Sequence, residues 1–130
     1  EPKLNSVARF PFGDKYFKEM KIIKLESPVH VKWQCITGDD EWIGTTLSFT
    51  LRPGSRSSML NSHRELLGQI EQQADFDNGT VLMFQHNDWR DHTNMFAECS
   101  YTWALFLRSL KLYCETGQGL AWPNQHVVKY

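Results

Sequence analysis

No apolar run in this chain approaches the roughly 20 residues that cross a bilayer as a helix. Its opening, Glu1-Pro2-Lys3-Leu4, lacks the basic and apolar regions of a secretory signal. No membrane span is expected, and a cytoplasmic location is the simplest reading. An excess of one charge is missing too: 14 basic and 15 acidic residues, spread along the sequence, leave a formal charge of -1. The electrostatic footprint of a nucleic-acid or anionic-membrane binder is therefore absent. Cysteine is scarce and odd in number. Cys35, Cys99 and Cys114 show no paired spacing, and the last two, on one helix, would stand about 22 Å apart, beyond the reach of a disulfide. That pattern suits a reducing compartment. There is no Walker phosphate loop, no nucleophile elbow and no dinucleotide fingerprint, which removes the common catalytic templates. His86, Asp88, Asp91 and His92 crowd into seven positions, yet their spacing matches no zinc or iron pattern, so neither metal nor cofactor is expected.

What the chain has in abundance is aromatic surface. Five Trp and eight Phe among 130 residues, 41% of them hydrophobic, suit a tight core or an aromatic-lined pocket within one domain. From Val7 to Leu51 the apolar residues alternate with a period near two. Turn chemistry at Gly13-Asp14, Ser27-Pro28 and Gly38-Asp39-Asp40 divides them into four successive antiparallel strands. Ala8, Phe10 and Phe12 share a face of the first, and Met20 and Ile22 of the second. Val29, Val31, Trp33 and Cys35 line the third, and Ile43, Leu47, Phe49 and Leu51 the fourth. After Arg52-Pro53-Gly54 the period lengthens. Leu60, His63, Leu67, Ile70 and Ala74 predict a surface helix over about 58–75. Asp77-Asn78-Gly79-Thr80 reads as a turn, although Asn78-Gly79-Thr80 also fits a glycosylation acceptor. Val81 to His86 then restores period two, with Leu82, Phe84 and His86 on one side.

The strongest periodic signal comes last. Phe96, Cys99, Trp103, Phe106, Leu107, Leu110 and Tyr113 step by three or four, predicting a helix from about Phe96 to Glu115. Asp91 or Thr93 would cap its start and Gly117 its end. A sheet with one apolar face and a helix with one apolar stripe bury each other, giving a two-layer α+β domain.

Glu41-Trp42-Ile43-Gly44-Thr45, Phe84-Gln85-His86-Asn87-Asp88-Trp89, Cys99-Ser100-Tyr101-Thr102-Trp103 and Phe106-Leu107-Arg108-Ser109-Leu110-Lys111, running into Glu115-Thr116-Gly117-Gln118-Gly119, follow one another in order. This ordered set resembles the family named for activators of the ATPase of heat-shock protein 90, within the START-like or SRPBCC superfamily. The resemblance implies a helix-grip fold, a curved antiparallel sheet wrapped around the C-terminal helix with an elongated cavity between them. Superfamily members hold lipids, sterols, polyketides or plant hormones there, and some are cyclases. Family members usually begin with a strand and two short helices that close one end of the grip. Nothing before Val7 supplies them, so the pocket is expected to lack a wall here: either the natural chain is longer and this is part of it, or a partner chain supplies the missing elements. The helical segment about 58–75 stands where the family has a short hairpin, and would be a lid, a dimer contact or a displaced piece of the fold.

Strand phase and helix stripe together nominate Phe10, Phe12, Met20, Ile22, Val31, Trp33, Leu47, Phe49, Phe84, His86, Trp103 and Phe106 as the lining of that cavity. The competing reading is an ordinary filled core. His86 is the candidate for orienting a ligand or exchanging a proton, against a satisfied structural histidine. Cys99, seven residues after His92, reads as a small hydrophobe rather than a nucleophile. Trp42 and Trp89 read as aromatics that pack on the helix, and Gly44-Thr45 as the bend of a curved strand. Three functions follow: binding of a small hydrophobic or lipid-like ligand, a cyclase or hydrolase using His86, and regulation of a chaperone ATPase, implied by the family's name alone. A homodimer is the other partner that these readings admit.

Overall fold

The computed structural model describes residues 1–127. Five strands form one antiparallel meander in the order β1 (Val7–Pro11), β2 (Phe17–Glu26), β3 (His30–Thr37), β4 (Thr46–Ser55) and β5 (Asn78–Asn87). A long helix follows, here called α3 (Asn94–Thr116), and two short helices, α1 (Arg56–Ser62) and α2 (Leu67–Glu71), interrupt the sheet between β4 and β5. The predicted α+β helix-grip architecture is what forms: the sheet curls into a half-barrel and α3 lies along its concave side.

The curl has a local cause. The β2–β3 ladder slips at two places, leaving Ile36 without an opposite residue on one strand and Ile23 on the other. Each slip is a β-bulge, which bends and twists the strand that carries it, and both isoleucines are exposed as a result. The concave face then carries Phe10, Met20, Ile22, Trp33, Leu47, Phe49 and Phe84, paired or diagonal across neighbouring strands. At one end Met20, Cys35, Trp42, Leu47 and Cys99 form a fully buried cluster that ties the sheet to α3. Large aliphatics buried in this way stabilise by about 1.5–3 kcal/mol each.

The ends of α3 follow their sequence signals. Thr93 accepts a hydrogen bond on its hydroxyl from the Phe96 N–H, and Gly117 closes the helix in the left-handed conformation at φ 77°. The stripe is not buried along its whole length, however. Leu110 and Tyr113 are exposed, and the buried residue of that half is Ser109. Its Oγ accepts from the Leu120 N–H at 2.6 Å, because the segment after Gly117 folds back along the helix and takes the place of the sheet as its partner there.

Three other expectations change. The strand does not end at Arg52-Pro53-Gly54: β4 continues to Ser55 and pairs with Asn78–Thr80, so most of the turn expected at 77–80 is strand. Pro53 is tolerated because its nitrogen faces the β3 side, as that of Leu51 does, and pairing with that strand has ended by then. Ile43 is not in β4 and is exposed, lying with Gly44 (φ 89°) in the turn before it. The single helix predicted over 58–75 is broken into α1, a 3-10 turn (Arg64–Leu66) and α2, since His63 has a non-helical backbone. Of the predicted stripe Ile70 is buried while Leu67 and Ala74 are exposed, and Met59, off the stripe, is the other buried residue; the two pack on Val81 and Met83. Those two alternate with Phe84, so this segment covers the convex face of the sheet.

Candidate functional site: a cleft between the last strand and the long helix

β5 is an outer strand of the sheet. Phe84 and His86 project from it to the concave side, and α3 passes over them. Phe84, His86 and Trp89 on one wall and Phe96, Trp103 and Leu107 on the other enclose an open cleft of about 320 Å³. Cys99, Ser100 and Ala104 keep its helix side shallow. A second hollow of about 490 Å³ lies beside α1, between Arg56, Phe76 and the carboxylates of Asp75 and Asp77. It shares no residue with the lining nominated above.

Of that lining, Phe84, His86 and Trp103 border the cleft. Phe10, Trp33, Phe49 and Phe84 form instead a continuous ladder of rings across the sheet, with centroids 5.5, 5.1 and 5.1 Å apart, and Trp103 stands on its last member at 4.5 Å. Met20, Ile22 and Leu47 are buried in the floor, Val31 is half-buried on the same face, and Phe106 flanks Trp103 at 6.1 Å. Phe12 lies beyond the end of β1, against Tyr16 and Trp122. The rings across the middle of the sheet thus touch one another, and the open space lies toward β5. Trp89, Phe96 and Leu107 border it without having been nominated. Phe96 and Leu107 were on the predicted stripe, and Trp89 follows β5 closely enough for its indole to reach back.

His86 is held between two indoles, its ring centroid 4.6 Å from that of Trp42 and 4.4 Å from that of Trp89. Its Nε2 is 2.9 Å from Thr45 Oγ1, and that hydroxyl donates to the Trp42 carbonyl oxygen at 2.7 Å. With its one hydrogen already used, Thr45 accepts from His86, so the imidazole carries its proton on Nε2. Nδ1 is left as a buried acceptor without a hydrogen-bond partner. Burial, with a smaller contribution from the Lys18 ammonium, pushes the pKa of His86 down to about 4.

Lys18 was not anticipated. It shares the phase of Met20 and Ile22 on β2, a placement readable from period two but masked by its polarity. Its ammonium sits 3.0 Å from the centre of the Trp42 ring, and burial lowers its pKa, opposed by the Cys99 and Cys35 thiols and by Asp39. Trp42 in turn donates its indole N–H to Cys99 Sγ at 3.1 Å. Burial pushes both the Cys99 and Cys35 thiols up, which keeps them protonated and unreactive. His92 stacks on Phe96 at 4.8 Å, while Asp88 accepts from the Thr46 hydroxyl. Among the described residues no group of three or more His, Cys, Asp or Glu side chains is arranged to hold a metal.

No protein-family model matches the chain, and no curated protein matches it in sequence. Its structure is similar to the solution structure of the Aha1 dimer from Colwellia psychrerythraea, with a TM-score of 0.59 and 26% identity over 88% of this chain and 76% of that one. The curled sheet, the long C-terminal helix and this likeness give the chain an Aha1-like helix-grip α+β fold, and its similarity is to the Aha1-like family.

Proposed function

We propose that this protein binds a small hydrophobic or lipid-like molecule in the cleft between β5 and α3. The observation that carries the reading is the cleft itself: aromatic side chains from two elements line about 320 Å³ of open space. Apolar surface withdrawn from water there contributes about 25 cal/mol per Å². The cyclase or hydrolase alternative needs His86 as acid or base. A pKa of about 4 makes its imidazole a weak base at neutral pH, and its hydrogen bond goes to a threonine rather than to a carboxylate that would strengthen it. Regulation of a chaperone ATPase rests on the family's name, and the cleft adds nothing to it.

An environment-sensitive apolar dye titrated into the protein tests the reading. Saturable binding is expected, and Leu107→Asp, at the half-buried cleft wall, should weaken it at least tenfold while leaving the melting temperature within a few degrees. Trp103→Ala should also abolish binding, but its thermal stability has to be followed in parallel, since removing that ring costs about 3–5 kcal/mol if it is core. A signal that never saturates, or one that Leu107→Asp leaves intact, would sink the proposal.

Self-association belongs to the same proposal. β5 presents an unpaired edge ten residues long beside the cleft, and the similar Colwellia structure is described as a dimer. Light scattering after size exclusion should give twice the chain mass; a monomer at all concentrations would remove the homodimer and leave ligand binding standing.

A further inference from the structure

The cleft wall contains one polar atom with nothing to bond to. Thr45 accepts from Nε2 of His86 because its own hydrogen goes to the Trp42 carbonyl, and the opposite nitrogen of the same ring, Nδ1, is buried without a partner. A buried acceptor that gives up water and gains no donor costs about 1–3 kcal/mol. Buried polar groups in folded proteins nearly always have a partner, and an exception calls for a cause in strain, function or a missing ligand. Here the exception lies in a residue that lines an open aromatic cleft. Beside it stands Trp89, on the loop after β5, whose ring rests against His86 at 4.4 Å and against Phe96 at 5.6 Å. That indole is itself only half-buried.

We propose that the cleft takes an apolar molecule bearing one hydrogen-bond donor, a phenol, an alcohol or an N–H, which is received by Nδ1 of His86 once the Trp89 ring turns aside. The inference rests on the ligand-binding reading of the cleft and adds polarity and orientation to it. Thr45 has a second role in this arrangement. By using its hydrogen on Trp42, it fixes the imidazole in the tautomer that can only accept at Nδ1. A ligand offering an acceptor at the same place finds a lone pair facing a lone pair, so discrimination between donor and acceptor is built into the wall. A site shaped to bond one polar group rejects an analogue lacking it far more strongly than an apolar wall distinguishes one methylene.

The test uses three probes of matched shape: 2-naphthol, which donates; 2-methylnaphthalene, which does neither; and 2-methoxynaphthalene, which only accepts. Calorimetric titration of the whole chain should show 2-naphthol binding about tenfold more tightly than the other two, the gain from one buried neutral hydrogen bond. In His86→Phe the three should bind alike, the advantage of 2-naphthol being lost. The unaltered protein gives a second reading that does not depend on how the variant folds. In a long-range ¹H–¹⁵N spectrum the His86 Nδ1 resonance should move when 2-naphthol is added and stay in place with 2-methylnaphthalene. If all three probes bind the unaltered protein equally, if the Nδ1 resonance is indifferent to 2-naphthol, or if the preference survives in His86→Phe, the donor inference is wrong and the apolar cleft stands. If no probe binds, the cleft reading fails and takes this inference with it.

Discussion

At the scale of single residues, His86 couples the site to the stability of the chain. Unfolded, its imidazole protonates near pH 6.5; folded between Trp42 and Trp89, it holds out to about pH 4. Above pH 6.5 both states are neutral and the residue contributes no slope. Between the two values the unfolded chain binds a proton that the folded chain refuses, so stability falls as the pH drops through this window and levels off below it. The loss attributable to this ring is about 2 kcal/mol, less than the full difference implies because its cleft side is open to solvent. Urea midpoints at pH 7.5 and 4.5 should therefore draw closer together in His86→Phe than in the unaltered chain, carboxylate titrations being common to both; equal gaps would show that the ring is not desolvated. Trp42 is a second such residue. It is buried, donates to Cys99 and receives Lys18 on its face. Trp42→Ala should cost about 3–5 kcal/mol in chemical denaturation, and Trp42→Phe about 1–2 kcal/mol, keeping most of the packing while losing the N–H. A cost for Trp42→Phe as large as that of Trp42→Ala would mean that the hydrogen bond, and not the ring, holds this corner together.

At the scale of elements, α3 is where local sequence and structure agree most closely. Thr93→Ala removes the side-chain acceptor of its first turn and should cost about 1 kcal/mol. Gly117→Ala forces a Cβ into left-handed backbone, at φ 77°, with no neighbouring atom within 4 Å; it should cost about 1 kcal/mol through the backbone alone. Thermal unfolding of the two variants checks both figures, and a neutral Gly117→Ala would mean that the helix frays before its cap. The agreement has a physical basis, because caps and a 3.6-residue stripe act within a few residues of where they are read. The strands were legible for the same reason: Met20, Trp33 and Phe49 alternate with polar neighbours, and with Phe10 and Phe84 they do face one side. Features decided over longer distances were not legible. Whether Pro53 ends β4 depends on how far β3 extends beside it. Whether Leu110 and Tyr113 are buried depends on the returning segment around Leu120. The 58–75 segment reads as one amphipathic helix until Met59 and Ile70 find Val81 and Met83 on the convex face. The cleft was legible in part. Phase put Phe84, His86 and Trp103 among its lining, but period two says only that rings face one another, not that those from Phe10 to Phe84 pack in one row and leave the open space at β5.

At the scale of the whole molecule, the two faces of the sheet are finished differently. The convex face at the β4–β5 end is sealed by α1 and α2 through Met59, Ile70 and Val81. The concave face is sealed where Met20, Cys35, Trp42, Leu47 and Cys99 meet, and open at the cleft lined by β5 and α3. Local opening is easiest where few apolar contacts hold an element and its backbone bonds face water. Amide hydrogen exchange should accordingly be slowest in the ladders joining β3 to β2 and β4. It should be faster along β5, whose outer edge has no strand beside it among the described residues, and in the last turns of α3, where Leu110 and Tyr113 are exposed. A ligand bound in the cleft, as proposed, would alter that order in a defined way. At about a hundredfold excess over its dissociation constant it adds about 2.7 kcal/mol to global stability by mass action. Because it touches only one border of the grip, it should add further protection from Phe84 to Trp89 and from Phe96 to Leu107, leaving β1 and β2 with the global increment alone. Exchange measured with and without 2-naphthol separates these contributions. Protection that rises uniformly, or that centres on Phe10 and Ile22, would place the molecule deep in the sheet beneath Trp33 and Phe49, and the wall formed by β5 and α3 would then be a consequence of the fold rather than its binding surface.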